Sequence, residues 1–270
     1  KLYEYVKKFG LTEKTGVDLP GESKGIMFDY DSFNELEQAT VSFGQGISVT
    51  PIQLVRAICA CVNGGKLYQP YIGDKIINST TKDVVYEKKP ELLRRIISEE
   101  TSKKVRDALE TVVTDGGGKN AYIDGYRIGG KTGTAQKAVN GSYVDGGYIL
   151  SFVGVAPIND PKIVLYVAMD NPKNCVQYGG TTVAPIARKM LMDILPSMGI
   201  EKVTSMRRKT YGPTDAKSVK VENYIGKSKK EISNPELKFK YVGDGDEVID
   251  QLPRVGEYVE AGSTIVIMLG

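Results

Sequence analysis

The sequence predicts an α+β protein, an α/β-type sandwich in which helices cover an antiparallel sheet, followed by a small second α+β module. Three strand-length segments, 127–136, 148–156 and 162–169, follow one another through short connections, which makes them antiparallel neighbours. Helical periodicity flanks them on both sides, as covering helices require. At 207–217 Lys, Pro, Gly and Thr replace the apolar periodicity. This predicts a linker between a large domain, 1–206, and a module, 218–270.

The elements can be justified in order. Leu2, Tyr5, Val6 and Phe9 have helical spacing, and Gly10 is a natural stop. The stretch TGVDLPGESKG is turn-rich. Thr50 is placed to cap a helix whose first residue is Pro51 and which runs to about Asn63 before Gly64-Gly65. YQPYIGDKIINSTTKDVVYEKK alternates around Asn-Ser-Thr-Thr as a hairpin does. A helix from Ser98 or Glu99 to about Val113 turns Val105, Leu109, Val112 and Val113 to one side and ends at Gly116-Gly117-Gly118. After the three strands, 183–195 reads as an apolar helix with Pro185 in its first turn. In the terminal module a short helix is predicted at 227–232, with strands at 237–242, 248–251 and 263–269.

Composition excludes several function classes. With 36 basic and 33 acidic residues spread along 270, the net charge of +3 leaves no clustered footprint for nucleic acid. The sequence has no histidine, which rules out a Ser-His-Asp triad, a Cys-His dyad or a His-ligated zinc within it. Cys59, Cys61 and Cys175 fit no metal motif and read as free thiols, so neither a metal nor another cofactor is expected. No apolar run approaches the ~20 residues of a membrane helix.

The strongest local signal is Gly129-Gly130-Lys131-Thr132-Gly133-Thr134-Ala135-Gln136. On a strand of period two Lys131 and Gly133 share a face, so a cation stands beside a position without a Cβ. A peptide can lie close against such a strand. Thr132 and Thr134 add hydroxyls, and the backbone N–H groups add donors for a carboxylate or an oxyanion.

These residues resemble the Lys-Thr-Gly motif of penicillin-binding proteins. EKTGVDLPGE, the GQG-x-x-x-TPIQL helix opening, GGKTGTAQ, SFVGVAP and YGGTTVAPI stand in the order found in the class B enzymes of that family, covering about residues 1–200. The resemblance implies a peptidoglycan D,D-transpeptidase. In it a serine attacks the penultimate D-alanine carbonyl, and the acyl-serine passes to an amine of a neighbouring stem peptide. It further implies that Lys131 sits by the nucleophile, that Thr132 and Thr134 hold the terminal carboxylate, that Gly133 leaves room for peptide or β-lactam, and that Thr134 N–H serves the oxyanion.

A bare Lys-Thr-Gly is weak, since random order gives roughly 0.2 matches, and a second copy stands at Lys14-Thr15-Gly16. That copy lies in a turn-rich stretch and reads as a loop. Ser79-Thr80-Thr81-Lys82 and Ser32-Phe33-Asn34 match the family's Ser-x-x-Lys and Ser-x-Asn in letters only. Chance predicts ~1.5 and ~0.6 matches, the first falls in a hairpin turn instead of opening a helix, and their order is reversed. Both are rejected. The catalytic motifs are therefore expected to precede residue 1, the chain alone is expected to be inactive, and its core should expose apolar surface where an N-terminal portion packs. Tyr178-Gly179-Gly180-Thr181-Thr182 and Gln45 are given no role.

The terminal module resembles a PASTA repeat, through Pro253, Gly256 and Val259 followed by a Gly-Ser-Thr strand. Either a muropeptide-binding or a spacer role follows. The resemblance implies stem peptides, β-lactams and cell-wall synthesis proteins as partners. It places the protein at the extracytoplasmic membrane face, anchored by a segment outside these residues, in division or sporulation. The alternatives are a non-catalytic peptidoglycan-binding module and a carboxypeptidase or β-lactamase relative.

Overall fold

The computed structural model describes residues 1–139, 142–207, 218–256 and 258–270. They form two compact units, Lys1–Lys209 and Thr210–Gly270. The expected linker, apart from Arg207, lies outside the described residues.

The first unit opens with α1 (Leu2–Lys8), ended by Gly10 at φ +73°, and α2 (Glu35–Ser42), capped by Asn34. α3 (Pro51–Val62) begins in a capping box. Thr50 N–H donates to Gln53 Oε1 at 2.8 Å, and Gln53 N–H donates to Thr50 Oγ1 at 3.3 Å. Gln53, wholly buried, also donates from Nε2 to the Glu13 and Lys24 carbonyls at 2.7 and 3.0 Å. The sequence-local cap thus also ties down the turn-rich stretch, for which periodicity gave no partner. β1 (Lys66–Tyr68) pairs with β4 (Leu92–Arg95), and between them β2 (Lys75–Ile77) and β3 (Val84–Glu87) form the predicted hairpin. The helix α2 was not predicted, nor was the β1–β4 ladder, whose three- and four-residue strands leave no legible period.

α4 (Glu99–Thr114) has Ser98 as its N-cap. Its buried side differs from the expected apolar one. Val113 is buried, whereas Val105, Leu109 and Val112 are only half-buried, and Ser102 and Glu110 are buried with Val113. The polar pair is buried because each is satisfied: Ser102 Oγ donates to the Cys61 carbonyl at 2.8 Å, and Glu110 receives Arg127.

β5 (Gly129–Val139), β6 (Ser142–Ala156) and β7 (Ile163–Asp170) form an antiparallel sheet in the order β5-β6-β7, so β5 is an edge strand. Leu150, Phe152 and Ala156 join one core cluster with Ala187, Leu191 and Leu195 of α6 (Ala184–Ser197). Val153 and Val155, of the opposite parity, join Val62 of α3 in another. Between β7 and α6 stands the single helical turn α5 (Gly179–Thr182). This unit is the predicted mixed fold, a sheet with helices on both faces.

In the second unit, β8 (Ser218–Lys220) pairs with β11 (Tyr258–Glu260). β9 (Lys238–Val242), β10 (Val248–Leu252) and β12 (Thr264–Leu269) form a sheet in the order β10-β12-β9, with β9 and β12 parallel. The helix expected at 227–232 is a 3₁₀ turn, Lys229–Glu231, capped by Ser228. The chain reaches Pro235 four residues later, which forces the residue before it out of the helical region. Gln251 is buried as a staple, accepting from Tyr224 N–H at 2.7 Å and donating to the Glu222 carbonyl at 2.9 Å.

Candidate functional site

The glycines around Lys131 have different reasons. A Cβ on Gly129 would meet Ile158 and Leu109, and one on Gly130 the Phe152 ring and the Val153 carbonyl; these two let the strand press onto its core. Among the described residues the side chain nearest a Cβ on Gly133 is Ser151, directly across on β6, whose hydroxyl a χ1 rotation can move. A Cβ at Gly133 would collide with that hydroxyl, so any group seated there needs Ser151 to turn aside.

The backbone direction follows from two contacts. The carbonyl oxygens of Gly133 and Ser151 both lie 2.5 Å from the point where a Gly179 side chain would begin, which puts them between the two strands. Backbone groups alternate along a strand, so those of Thr132 and Thr134 point to the open edge. The Thr132 carbonyl accordingly accepts Lys131 Nζ at 2.7 Å. Lys131 and Thr134 are exposed, and Thr132 and Gly133 half-buried. The edge therefore offers an ammonium, two hydroxyls and outward N–H groups. Such a set can hold a carboxylate and stabilise charge on a carbonyl oxygen.

Residues that sequence reasoning left without a role complete this wall. Gly179 N–H donates to Thr134 Oγ1 at 3.2 Å. Asn120 Nδ2 donates to the Gly180 carbonyl at 2.9 Å, and Gly117, lacking a Cβ, makes room for the Tyr178 hydroxyl. The Gly-rich punctuation of 116–118 and 179–180 was visible; their mutual contact joins segments 60 residues apart in sequence.

The rejected matches lie in turns and at a helix cap. Thr15 of the other Lys-Thr-Gly donates both its N–H and its hydroxyl to Glu22 Oε1, and Gly16 N–H donates to Glu22 Oε2. Burial raises the Glu22 pKa and these hydrogen bonds, with the Arg56 charge, lower it; the lowering prevails. Ser79 is exposed in the β2–β3 turn, where Asn78 Oδ1 accepts from Thr80 and Thr81 N–H. Ser32 closes a 3₁₀ turn on the Asp29 carbonyl, and Asn34 caps α2. Gln45 N–H bonds the Thr40 carbonyl at the end of α2. Among the described residues no three His, Cys, Asp or Glu side chains group as a metal site, and no helix is long and apolar enough to cross a membrane.

The chain is similar to known proteins in family, in sequence and in fold. Residues 1–192 match the family model described as the penicillin binding protein transpeptidase domain. The whole chain is 46% identical over 271 aligned residues to stage V sporulation protein D of Bacillus subtilis, covering 42% of that protein. Over 201 residues, 74% of the chain, it is 32% identical to the probable peptidoglycan D,D-transpeptidase PenA of Neisseria flavescens, covering 47% of it. The chain thus spans less than half the length of these two relatives. Among solved structures, the transpeptidase domain of Burkholderia pseudomallei penicillin-binding protein 3 superposes with a TM-score of 0.65 at 33% identity, over 75% of this chain and 59% of that one. Penicillin-binding protein 3 of Mycobacterium tuberculosis, complexed with ampicillin, gives 0.67 at 28%, over 77% and 49%.

Proposed function

This chain belongs to the class B penicillin-binding protein transpeptidase family, and we propose that it supplies the substrate-holding wall of a serine-type peptidoglycan D,D-transpeptidase. The observation that carries the proposal is the open edge of β5, where outward Thr132 and Thr134 backbone groups stand beside the exposed Lys131. A stem peptide ending in D-Ala-D-Ala lies along that edge, with its terminal carboxylate on the Thr132 and Thr134 hydroxyls near the Lys131 charge.

The acyl serine belongs to polypeptide outside these 270 residues, a reading supported by the place of Ser79 in an exposed hairpin turn and by the bond of Ser32 to the Asp29 carbonyl. The exposed Ile26, Leu36 and Phe43 support a covering portion of the same protein. The serine oxygen bonds to the penultimate carbonyl carbon, whose oxygen takes the negative charge against Thr134 N–H. The amide C–N bond then breaks, and terminal D-alanine leaves as an amine carrying the proton released by the serine. An amine from a neighbouring stem peptide bonds to the ester carbon, the ester C–O bond breaks and the serine regains a proton. A β-lactam enters the same wall, but its opened ring remains attached and the acyl-enzyme persists.

Peptidoglycan lies outside the cytoplasmic membrane, so this site works on its outer face. The second unit, with Gly256 at φ +85° turning the chain into β11 in the Pro253, Gly256, Val259 pattern, serves as a PASTA-type module.

Fluorescent penicillin tests the proposal. The full-length protein should form an adduct that survives denaturation, and the isolated 270-residue chain should not. Lys131→Ala and Thr134→Val should each slow labelling by about tenfold or more. An adduct mapped to Ser79 or Ser32, or no adduct on the full-length protein, would refute it.

A further inference from the structure

We propose that the turn Tyr178-Gly179-Gly180 is part of the carboxylate-binding apparatus: Gly179 N–H presets the Thr134 hydroxyl as a donor, and Asn120 is the positioning residue that holds the turn in place. This deepens the function proposed above and rests on it.

A threonine hydroxyl has one proton and two lone pairs, and its rotor turns to suit its neighbours. On an exposed strand it serves an incoming ligand equally as donor or acceptor. Here one lone pair already receives Gly179 N–H at 3.2 Å. The hydroxyl proton must then point away from Gly179. A carboxylate can only accept. The bond from Gly179 thus selects, before any ligand arrives, the orientation an anion needs, and removes the reorientation that binding would otherwise require.

The position of Gly179 is itself tightly set. A Cβ there would lie 2.5 Å from the Gly133 and Ser151 carbonyl oxygens, both backbone atoms that no rotamer change can clear. A Cβ on Gly180 would strike the Gly117 carbonyl and approach the Tyr178 ring to 2.8 Å. The turn therefore rests directly on the β5–β6 backbone and on the 116–118 loop. Asn120 fastens it from above: Nδ2 reaches the Gly180 carbonyl at 2.9 Å from the 3₁₀ turn Lys119–Ala121, which is itself anchored by the fully buried Ala121. Through Gly180, Asn120 sets the adjoining Gly179 N–H, and through that the Thr134 proton.

The test compares acylation of the full-length protein by benzylpenicillin and by its methyl ester, which lacks the anionic carboxylate. The readout is the ratio of the two second-order rate constants. The wild type should favour the acid, and Thr134→Ser should keep the ratio. Thr134→Val, Asn120→Asp and Asn120→Ala should each lower it about tenfold, mainly by slowing the acid while the ester rate holds. Asn120→Asp preserves volume and Asn120→Ala avoids a new charge, so a melting curve for each leaves at least one variant to read. If both Asn120 variants slow acid and ester alike, leaving the ratio unchanged, Asn120 is a structural tether and the inference falls. A wild type that acylates readily but does not distinguish acid from ester also sinks it while sparing the transpeptidase reading; a wild type that takes neither removes both.

Discussion

Glu110 and Arg127 form a two-pronged ion pair, Nε to Oε1 at 2.8 Å and Nη2 to Oε2 at 2.7 Å, that clamps α4 to the residues entering β5. Glu110 is 5% exposed, and its hydrogen bonds are the main cause holding the Arg127 guanidinium above its ordinary pKa. Arg127 stands four residues before Lys131, so the pair bears on both stability and the proposed site.

Glu110→Gln should lower stability by about 1–3 kcal/mol, less than a fully buried broken pair because Arg127 keeps some access to water. Adding Arg127→Met should recover part of the loss. Denaturant unfolding of the four proteins of this cycle measures the coupling; strictly additive losses would show that the pair is not coupled.

Glu22 predicts an acid limb of unfolding. Its folded pKa lies below the ordinary glutamate value because three donors from Thr15 and Gly16, and the Arg56 charge, outweigh burial. A depressed carboxyl contributes stability that is fully present above its unfolded pKa and is lost as pH falls from about 4.3 through the folded value. Thermal melts between neutral pH and pH 3 should show Glu22→Gln less stable at pH 7, with the gap to wild type closing in acid. A gap independent of pH would contradict the assignment.

Gly130→Ala tests the seating of β5. The new Cβ would stand 2.7 Å from the Val153 carbonyl and closer still to the Phe152 ring. Overpacking of this kind costs about 1–3 kcal/mol, and the strand shift it forces should slow penicillin labelling as well. Unchanged melting and labelling would mean that the sheet yields there more easily than the packing implies.

The three free thiols should react unequally. Burial pushes Cys61 up to about 11, with a smaller contribution from the neighbouring Cys59, and burial also raises Cys59, while Cys175 is exposed. Ellman's reagent at pH 8 should titrate Cys175 quickly and the other two only after denaturant is added. Cys175→Ser should remove the fast phase.

The sequence by itself determined the local features. Thr50-Pro51-Ile52-Gln53 carries its own cap, Ser98 its helix start and Asn-Ser-Thr-Thr its turn, because each depends on neighbours within four residues. Lys131 to Thr134 was recognisable through strand period and flanking motifs, and the Lys14 copy could be set aside by its turn-rich surroundings. The tertiary structure alone decided which polar residues are buried and which glycines serve the core. Glu110, Ser102, Gln53 and Gln251 are polar, and they are buried because partners 17 to 41 positions away satisfy them. The contact of Gly179 with Thr134 spans 45 residues, and neither composition nor period encodes a hydrogen bond between an edge strand and a distant helical turn. Only the folded chain leaves β5 at the sheet edge and lays the glycine turn on top of it, because both depend on strand order and on packing between distant segments.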